Sequence, residues 1–236
     1  RAGNLAGCLQ GSDPAGSILS GSHIDTVICS GAYDGIQGVV CALEAARLLQ
    51  ENGIFLKNHY KVLAMAEEEG TRTGCVLTGS TSIRRELAGE ELPDITGKDG
   101  TPLRDILRQY RGFQEVHVKE GSLLKQEPMI FVEVHDEQGP MLEQEGIDIG
   151  IVEHIRGIRN FDVILTGQSG HPGTVPMSAR RDCSLAAYEI CLKASRYVLE
   201  HYDREATITF GKMLIRPGSS NSIPGEAEFS VDIRFG

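Results

Sequence analysis

The sequence predicts an α/β fold followed by a smaller α+β domain, and three observations carry that prediction. Short apolar strands recur early in the chain, each ending in residues able to bind metal or move protons. A glycine-rich loop and a helix with apolar residues at helical spacing follow the first of them. After about Gly150 the strands acquire one polar face. With 236 residues, 40% of them hydrophobic, the chain can bury a substantial core. The boundary is expected near residue 154, giving domains 1–154 and 155–236.

The first strand runs from Ser17 to Ser22 and delivers His23. The loop Gly31 to Gly38, carrying Asp34, leads to a helix on which Val39, Ala42, Leu43, Ala46 and Leu49 share a face. Tyr60 to Ala66 is a buried strand that ends at Glu67, Glu68 and Glu69, and Ile130 to Val134 is a third that ends at His135. Open α/β sheets place their chemistry at these carboxyl ends. Between the last two strands, Gly97 to Thr101 forms a turn, and Pro102 is suited to open a short helix reaching Tyr110. In the second domain Phe161 to Thr166 and Glu226 to Arg234 are strands, the latter with clean alternation. Leu185, Tyr188, Leu192 and Leu199 mark the core side of a helix from Asp182 to Glu200, and Ala206 to Leu214 makes a further strand.

Composition excludes several classes of partner. The formal net charge is −10 with no basic cluster, so a polyanion such as nucleic acid is repelled. No apolar run approaches the length of a membrane span, and Arg1 to Leu5 lacks the apolar block of a signal peptide. The six cysteines show no CxxC pairing and are read as reduced thiols, which points to the cytoplasm.

His23, Asp34, Glu69 and His135 would project from one edge of the sheet, and imidazole with carboxylate suits a divalent ion such as zinc. His23-x-Asp25 alone would be an ordinary turn. Gathered with Asp34 and Glu69 it becomes a metal site, because converging carboxylates otherwise repel one another. Asp25 is then expected to accept the imidazole N–H of His23. The Gly31 to Gly38 loop could instead cradle a phosphate, but Asp34 would repel one and no P-loop lysine follows. Of the three glutamates, Glu67 reads as solvated charge and Glu69 as a ligand. Glu68, on the opposite side of an extended backbone, is placed to act as general base and then proton donor. His171, Asn221 and Arg234 have turn and surface roles as their default reading, and His59, His117, His154 and His201 are read as structural or surface residues.

Six segments, GSHIDTV, YDGIQGV, AMAEEEGTR, EVHDEQGP, SGHPGTVPMSARRD and NSIPGEAEFSVDIR, occur in an order that resembles one branch of the di-metal aminoacylase and carboxypeptidase superfamily. That branch contains the allantoate amidohydrolases, the N-carbamoyl-L-amino-acid hydrolases and β-ureidopropionase. The resemblance implies a di-metal exopeptidase-like catalytic domain with an inserted lid domain that mediates dimerisation. It implies two divalent ions, zinc or manganese: His23, bridging Asp34 and His135 at one, Asp34 and Glu69 at the other. Glu68 matches the general base, and Gln138, His171, Asn221 and Arg234 match residues that hold the substrate. His171 would be an oxyanion donor and Arg234 a carboxylate clamp.

Two departures follow from the same resemblance. The family supplies a further histidine ligand beyond the position of Gly236, so the second metal site is expected to be incomplete in this chain and both ends truncated. Asp136 stands where the family has an apolar residue. The expected function is metal-dependent hydrolysis of a ureido acid C–N bond. Allantoate is the first substrate choice, from AMAEEEG and the TFGKM and RPGSSN stretches, and an N-carbamoyl-L-amino acid the second. The alternatives are a non-catalytic member that binds metal or a carboxylate ligand, and a hydrolase of the aminoacylase or peptidase type.

Overall fold

The structure, a computed structural model, describes residues 2–109, 124, 128–202 and 205–236. It divides into two compact units, Arg1–Asp148 and Ile149–Gly236. Tyr110 and His117 lie outside the described residues.

The first unit is built on four strands, β1 (Leu5–Leu9), β2 (Asp13–His23), β3 (Asn58–Met65) and β4 (Ile130–Val132), in the order β1-β3-β2-β4. Strand β2 runs parallel to both β3 and β4, whereas β1 is antiparallel to β3. His23 pairs with Met65, and Ser20 with Val132, so three strands end at one edge. Strand β2 is buried nearly throughout its second half, from Leu19 to His23, as a parallel strand covered on both faces must be. Helix α1 (Ile36–Glu51) covers one face, packing Ala42 against Tyr60 and Val62, with Ala45, Ala46 and Leu49 beside them. The Tyr60 hydroxyl donates to the Ala42 carbonyl at 3.1 Å, so this buried polar group is satisfied. Leu43, expected on the covered face, is 55% exposed: the buried stripe runs through Val39 and Ala42 and continues to Ala46 and Leu49, leaving Leu43 to one side. Helix α2 (Thr78–Leu87) closes a second cluster, with Ile83 packed among Leu19, Leu63 and Met65.

Helix α3 (Leu103–Arg108) begins immediately after Pro102, as the sequence predicts. Strand β4 is shorter than expected, and Glu133, Val134 and His135 continue as irregular chain. Helix α1 approaches this segment closely: a Cβ on Gly38 would lie 2.2 Å from the Val134 carbonyl oxygen. Helix α4 (Met141–Glu145) follows, its first N–H groups received by the Glu137 carboxylate at 3.1 and 2.9 Å.

In the second unit β8 (Glu226–Phe235) is the central strand, paired along its whole length with β5 (Gly157–Thr166). On its other side lie β6 (Ala206–Thr209) and β7 (Met213–Arg216) in tandem. The single strand expected from Ala206 to Leu214 is therefore two. Thr209 pairs with Asp232 and Met213 with Phe229, which sets four residue steps against three, the signature of a one-residue bulge. Gly211 lies in that bulge, and Lys212 keeps its pairing by exchanging hydrogen bonds with Ser230. Alternation in β8 follows the sequence, with Ala227, Phe229 and Val231 buried.

Helix α5 (Cys183–Tyr202) covers the sheet, but with a different face from the one expected. Leu185, Tyr188, Leu192 and Leu199 are exposed, whereas Cys183, Ser184 and Ala187 are buried and Cys191 packs against the same core. Small residues allow the helix to lie close over Ala227 and Phe229, and long leucines at that distance would overfill the layer. Asp182 starts the helix by accepting from Ser184 N at 3.0 Å and Ser184 Oγ at 2.6 Å. Among the described residues, no helix is long and apolar enough to cross a membrane.

Candidate metal centre

His23 is the last residue of β2, Asp34 lies two residues before α1, and His135 comes three residues after β4, so the carboxyl edge of the sheet brings these three together. Their donor atoms all lie within 4.8 Å of one another, the one such group of three or more among the described residues. Asp34 is almost completely buried, with Oδ1 at 3.6 Å from His23 Nε2 and 3.8 Å from His135 Nε2. Glu69 Oε1 is 3.9 Å from His23 Nε2, which adds a fourth donor at the rim.

The tautomers decide what this cluster can hold. His23 Nδ1 lies 2.6 Å from the Asp25 carbonyl oxygen, and His135 Nδ1 lies 2.9 Å from the Asp136 carbonyl oxygen. A carbonyl only accepts, so each Nδ1 carries a hydrogen and, in the neutral rings, both Nε2 atoms present lone pairs. Those two nitrogens face each other at 3.2 Å beside a buried carboxylate. Three lone pairs converging on one point repel unless a positive charge lies between them, and imidazole and carboxylate are the donors a zinc or manganese ion takes. The residues fit a divalent metal.

Gly35 makes this packing possible. Its φ of 68° is left-handed, and a Cβ there would lie 2.3 Å from His23 Cε1 and Nδ1. Only hydrogen fits against that ring.

Asp25 accepts from the His23 ring as expected, but with its carbonyl oxygen and not its carboxylate. The carboxylate accepts Glu68 N on Oδ1 at 3.0 Å and Glu69 N on Oδ2 at 2.9 Å. Asp25 thus holds the imidazole with its backbone and the glutamate backbone at the end of β3 with its side chain. Glu67 is no solvated charge. At a left-handed φ of 59°, its carboxylate accepts from Arg72 N, Thr73 N and Thr73 Oγ1 and closes the turn that follows.

Glu68 is buried, its carboxylate held by Ser80 N on Oε1 at 2.5 Å and by Ser80 Oγ on Oε2 at 3.0 Å. Burial pushes its carboxyl above the ordinary carboxylate value, against the opposing pull of those Ser80 hydrogen bonds. Glu69 is raised too, first by burial and then by the nearby Asp34 charge. Ser80 was not legible as a partner of Glu68. Its one signal is a position in the first turn of a helix twelve residues downstream, where free N–H groups attract a carboxylate.

Gln138, a candidate substrate contact, donates from Nε2 to Asp34 Oδ1 at 2.7 Å, and its own φ of 56° is left-handed. In the second unit, His171 and Asn221 lie on neighbouring loops, joined by the hydrogen bond from Ile223 N to the Gly170 carbonyl at 2.8 Å. Gly173 N donates to His171 Nδ1 at 3.1 Å, and Ser219 Oγ donates to Asn221 Oδ1 at 2.6 Å. Arg234 is elsewhere, near the far end of β8, with Nε 3.1 Å from Asp232 Oδ1. Eight strand steps separate Glu226, beside the loops, from Arg234, about 26 Å of extended chain. One unit therefore does not bring His171, Asn221 and Arg234 to a common small ligand. Of the histidines read as structural, His59 accepts from Gly11 N at 2.9 Å and His201 bonds the Tyr197 carbonyl.

Residues 19–230 match peptidase family M20/M25/M40. The chain is 37% identical over 250 residues to the N-carbamoyl-L-amino-acid amidohydrolase of Paenarthrobacter aurescens, covering 98% of this chain and 56% of that protein. It is 38% identical over 249 residues to the allantoate amidohydrolase of Escherichia coli (strain K12), again covering 98% and 56%. Among solved structures, a hydantoinase/carbamoylase family amidase from Burkholderia ambifaria superposes with a TM-score of 0.78 at 33% identity, covering 99% of this chain and 56% of that one. The chain thus spans little more than half the length of the relatives it matches.

Proposed function

The chain belongs to peptidase family M20/M25/M40, and from that premise we propose that the protein it forms part of is a metal-dependent amidohydrolase of ureido acids. Allantoate is the first candidate substrate and an N-carbamoyl-L-amino acid the second. The observation that carries the reading is the convergence of the His23 and His135 Nε2 lone pairs on Asp34, with Glu68 and Glu69 delivered by the adjacent strand. His23, Asp34 and His135 would hold one zinc or manganese ion, and Asp34 with Glu69 would contribute to a second. Bound there, a divalent ion supplies Lewis acidity and brings the pKa of water toward ~7.

Glu68 takes the proton from the water that attacks the ureido carbonyl and returns it to the departing nitrogen, releasing ammonia and leaving a carbamate, whose remaining C–N bond then breaks to give the amine and carbon dioxide. Asp25 holds the Glu68 and Glu69 backbone in register for these two tasks. Gln138, His171, Asn221 and Arg234 are assigned to the substrate, with His171 at the developing oxyanion and Arg234 on the carboxylate.

The separation of Arg234 from His171 and Asn221 along β8 supports a homodimer through the second unit, acting as lid, in which one subunit supplies the loop residues and the other the arginine. Six free thiols, with no disulfide among them, support a reducing, cytoplasmic location.

The decisive assay is ammonia release by the full-length protein, loaded with zinc or manganese, from allantoate and from N-carbamoyl-L-amino acids. Turnover that a chelator abolishes is expected, and none with either substrate class would refute the reading. For the dimer, Glu68→Gln and His171→Ala subunits, each inactive alone, should recover roughly a quarter of wild-type activity after mixed refolding, because half the dimers are mixed and each has one intact site. No recovery in confirmed heterodimers would place His171 outside a shared site.

A further inference from the structure

Asp136 follows His135 directly and stands where the resemblance described above implies an apolar side chain. Its carboxylate oxygen Oδ1 is buried and receives no hydrogen bond among the described residues. That oxygen lies 3.2 Å from His135 Nδ1, whose hydrogen is directed at the Asp136 carbonyl oxygen 2.9 Å away. On the opposite side of the ring, His135 Nε2 faces His23 Nε2 and Asp34 Oδ1. A half-buried carboxylate thus lies against the outer edge of a ligand imidazole, with one oxygen that receives no hydrogen bond among the described residues.

We propose that Asp136 is a positioning residue for His135, a carboxylate that orients the ring and raises the donor strength of Nε2 toward a divalent ion. The assignment rests on the metal-hydrolase reading given above. With a cation at Nε2, positive charge spreads through the imidazole toward Nδ1 and Asp136 Oδ1 acquires a counter-charge. With no cation, the same oxygen is a buried acceptor that receives no hydrogen bond among the described residues. Asp136 therefore stabilises the filled site and destabilises the empty one. A residue with a merely structural role would affect both forms in the same direction.

The test uses the full-length protein with Asp136→Asn, which keeps the shape and removes the charge, and Asp136→Leu, which restores an apolar side chain. Zinc affinity is measured by competition with a chromophoric chelator, and melting temperature is measured on the metal-free and zinc-loaded forms. Both variants should bind zinc about 10- to 100-fold more weakly, while their metal-free forms melt at or above the wild-type temperature. Zinc affinities within twofold of wild type would overturn the assignment and leave the metal reading intact. Equal falls in the two melting temperatures would also overturn it, since they indicate a structural role. A wild-type protein that binds no zinc or manganese would remove both the assignment and the metal reading beneath it.

Discussion

Ser80 grips the Glu68 carboxylate with two donors, its backbone N–H on Oε1 and its hydroxyl on Oε2. The backbone donor belongs to the first turn of α2, so the helix end adds its own field to the contact. A base that must face the attacking water has few orientations open to it in a buried position, and Ser80 selects one. Ser80→Ala in the full-length enzyme should lower kcat by about tenfold with KM little changed, as expected for partial loss of an effect worth 10²–10⁴ in all. Ser80→Thr should retain most of the rate. Placed on a Glu68→Gln background, Ser80→Ala should do almost nothing further, because the group it orients is already gone. Steady-state ammonia release from the four proteins checks this, and independent, multiplying effects would count against it.

Asp25 supports the two glutamates from beneath by accepting Glu68 N and Glu69 N on separate oxygens. An asparagine has one acceptor and would turn an N–H group toward the other backbone N–H. Asp25→Asn should therefore destabilise the protein by about 1–3 kcal/mol and weaken metal binding through Glu69, although Asp25 touches no candidate ligand atom with its side chain. By contrast, Glu68→Gln should leave metal content unchanged and Glu69→Gln should reduce it. Metal analysis after dialysis, together with denaturant melts, separates the three variants.

Strand endings were the legible part of this chain. Apolar runs before His23 and Glu67 are read correctly because a buried parallel strand demands such a run, and its carboxyl end follows from the chain direction; the run before His135 forms a strand only over Ile130–Val132, which is exposed. What sequence did not reveal depends on distances between elements. The stripe of Leu185, Tyr188, Leu192 and Leu199 on α5 has proper helical spacing, yet the sheet selected the smaller stripe of Cys183, Ala187 and Cys191. Periodicity reports that a face is apolar, while the gap to be filled decides which apolar face is used. The bulge at Phe210 to Lys212 escaped for a similar reason, since the extra residue is defined by its partner β8 and not by its own segment. Which oxygen of Asp25 meets the His23 ring was not legible, because two residues of spacing fix proximity to His23 and leave direction open.

Gly35 ties the backbone to the metal centre, for a left-handed φ and the His23 ring both exclude a side chain at that position. Gly35→Ala should cost about 1–3 kcal/mol in backbone strain. The ring must also shift, which moves Nε2 away from Asp34 and His135. Zinc affinity should accordingly fall by more than the loss of global stability predicts, a contrast that a zinc titration set beside a denaturant melt of the metal-free protein would reveal. Unchanged zinc affinity would show that His23 can move without disturbing the donor set.

The register of α5 can be tested by one pair of neighbouring alanines. Ala187 is fully buried against Ala227 and Phe229, whereas Ala186, one residue earlier, is exposed. Leucine at either position has nearly the helix propensity of alanine, so local preference contributes little to any difference. At position 187 the three added carbons must displace the sheet or adopt a poor rotamer, and Ala187→Leu should destabilise by about 1–3 kcal/mol. Ala186→Leu should stay within about 0.5 kcal/mol of wild type. Had the helix packed through Leu185, Tyr188, Leu192 and Leu199, position 187 would be free to accept a leucine. Denaturant midpoints for the two variants thus distinguish the faces, and equal midpoints would return the helix to the orientation its larger residues suggest.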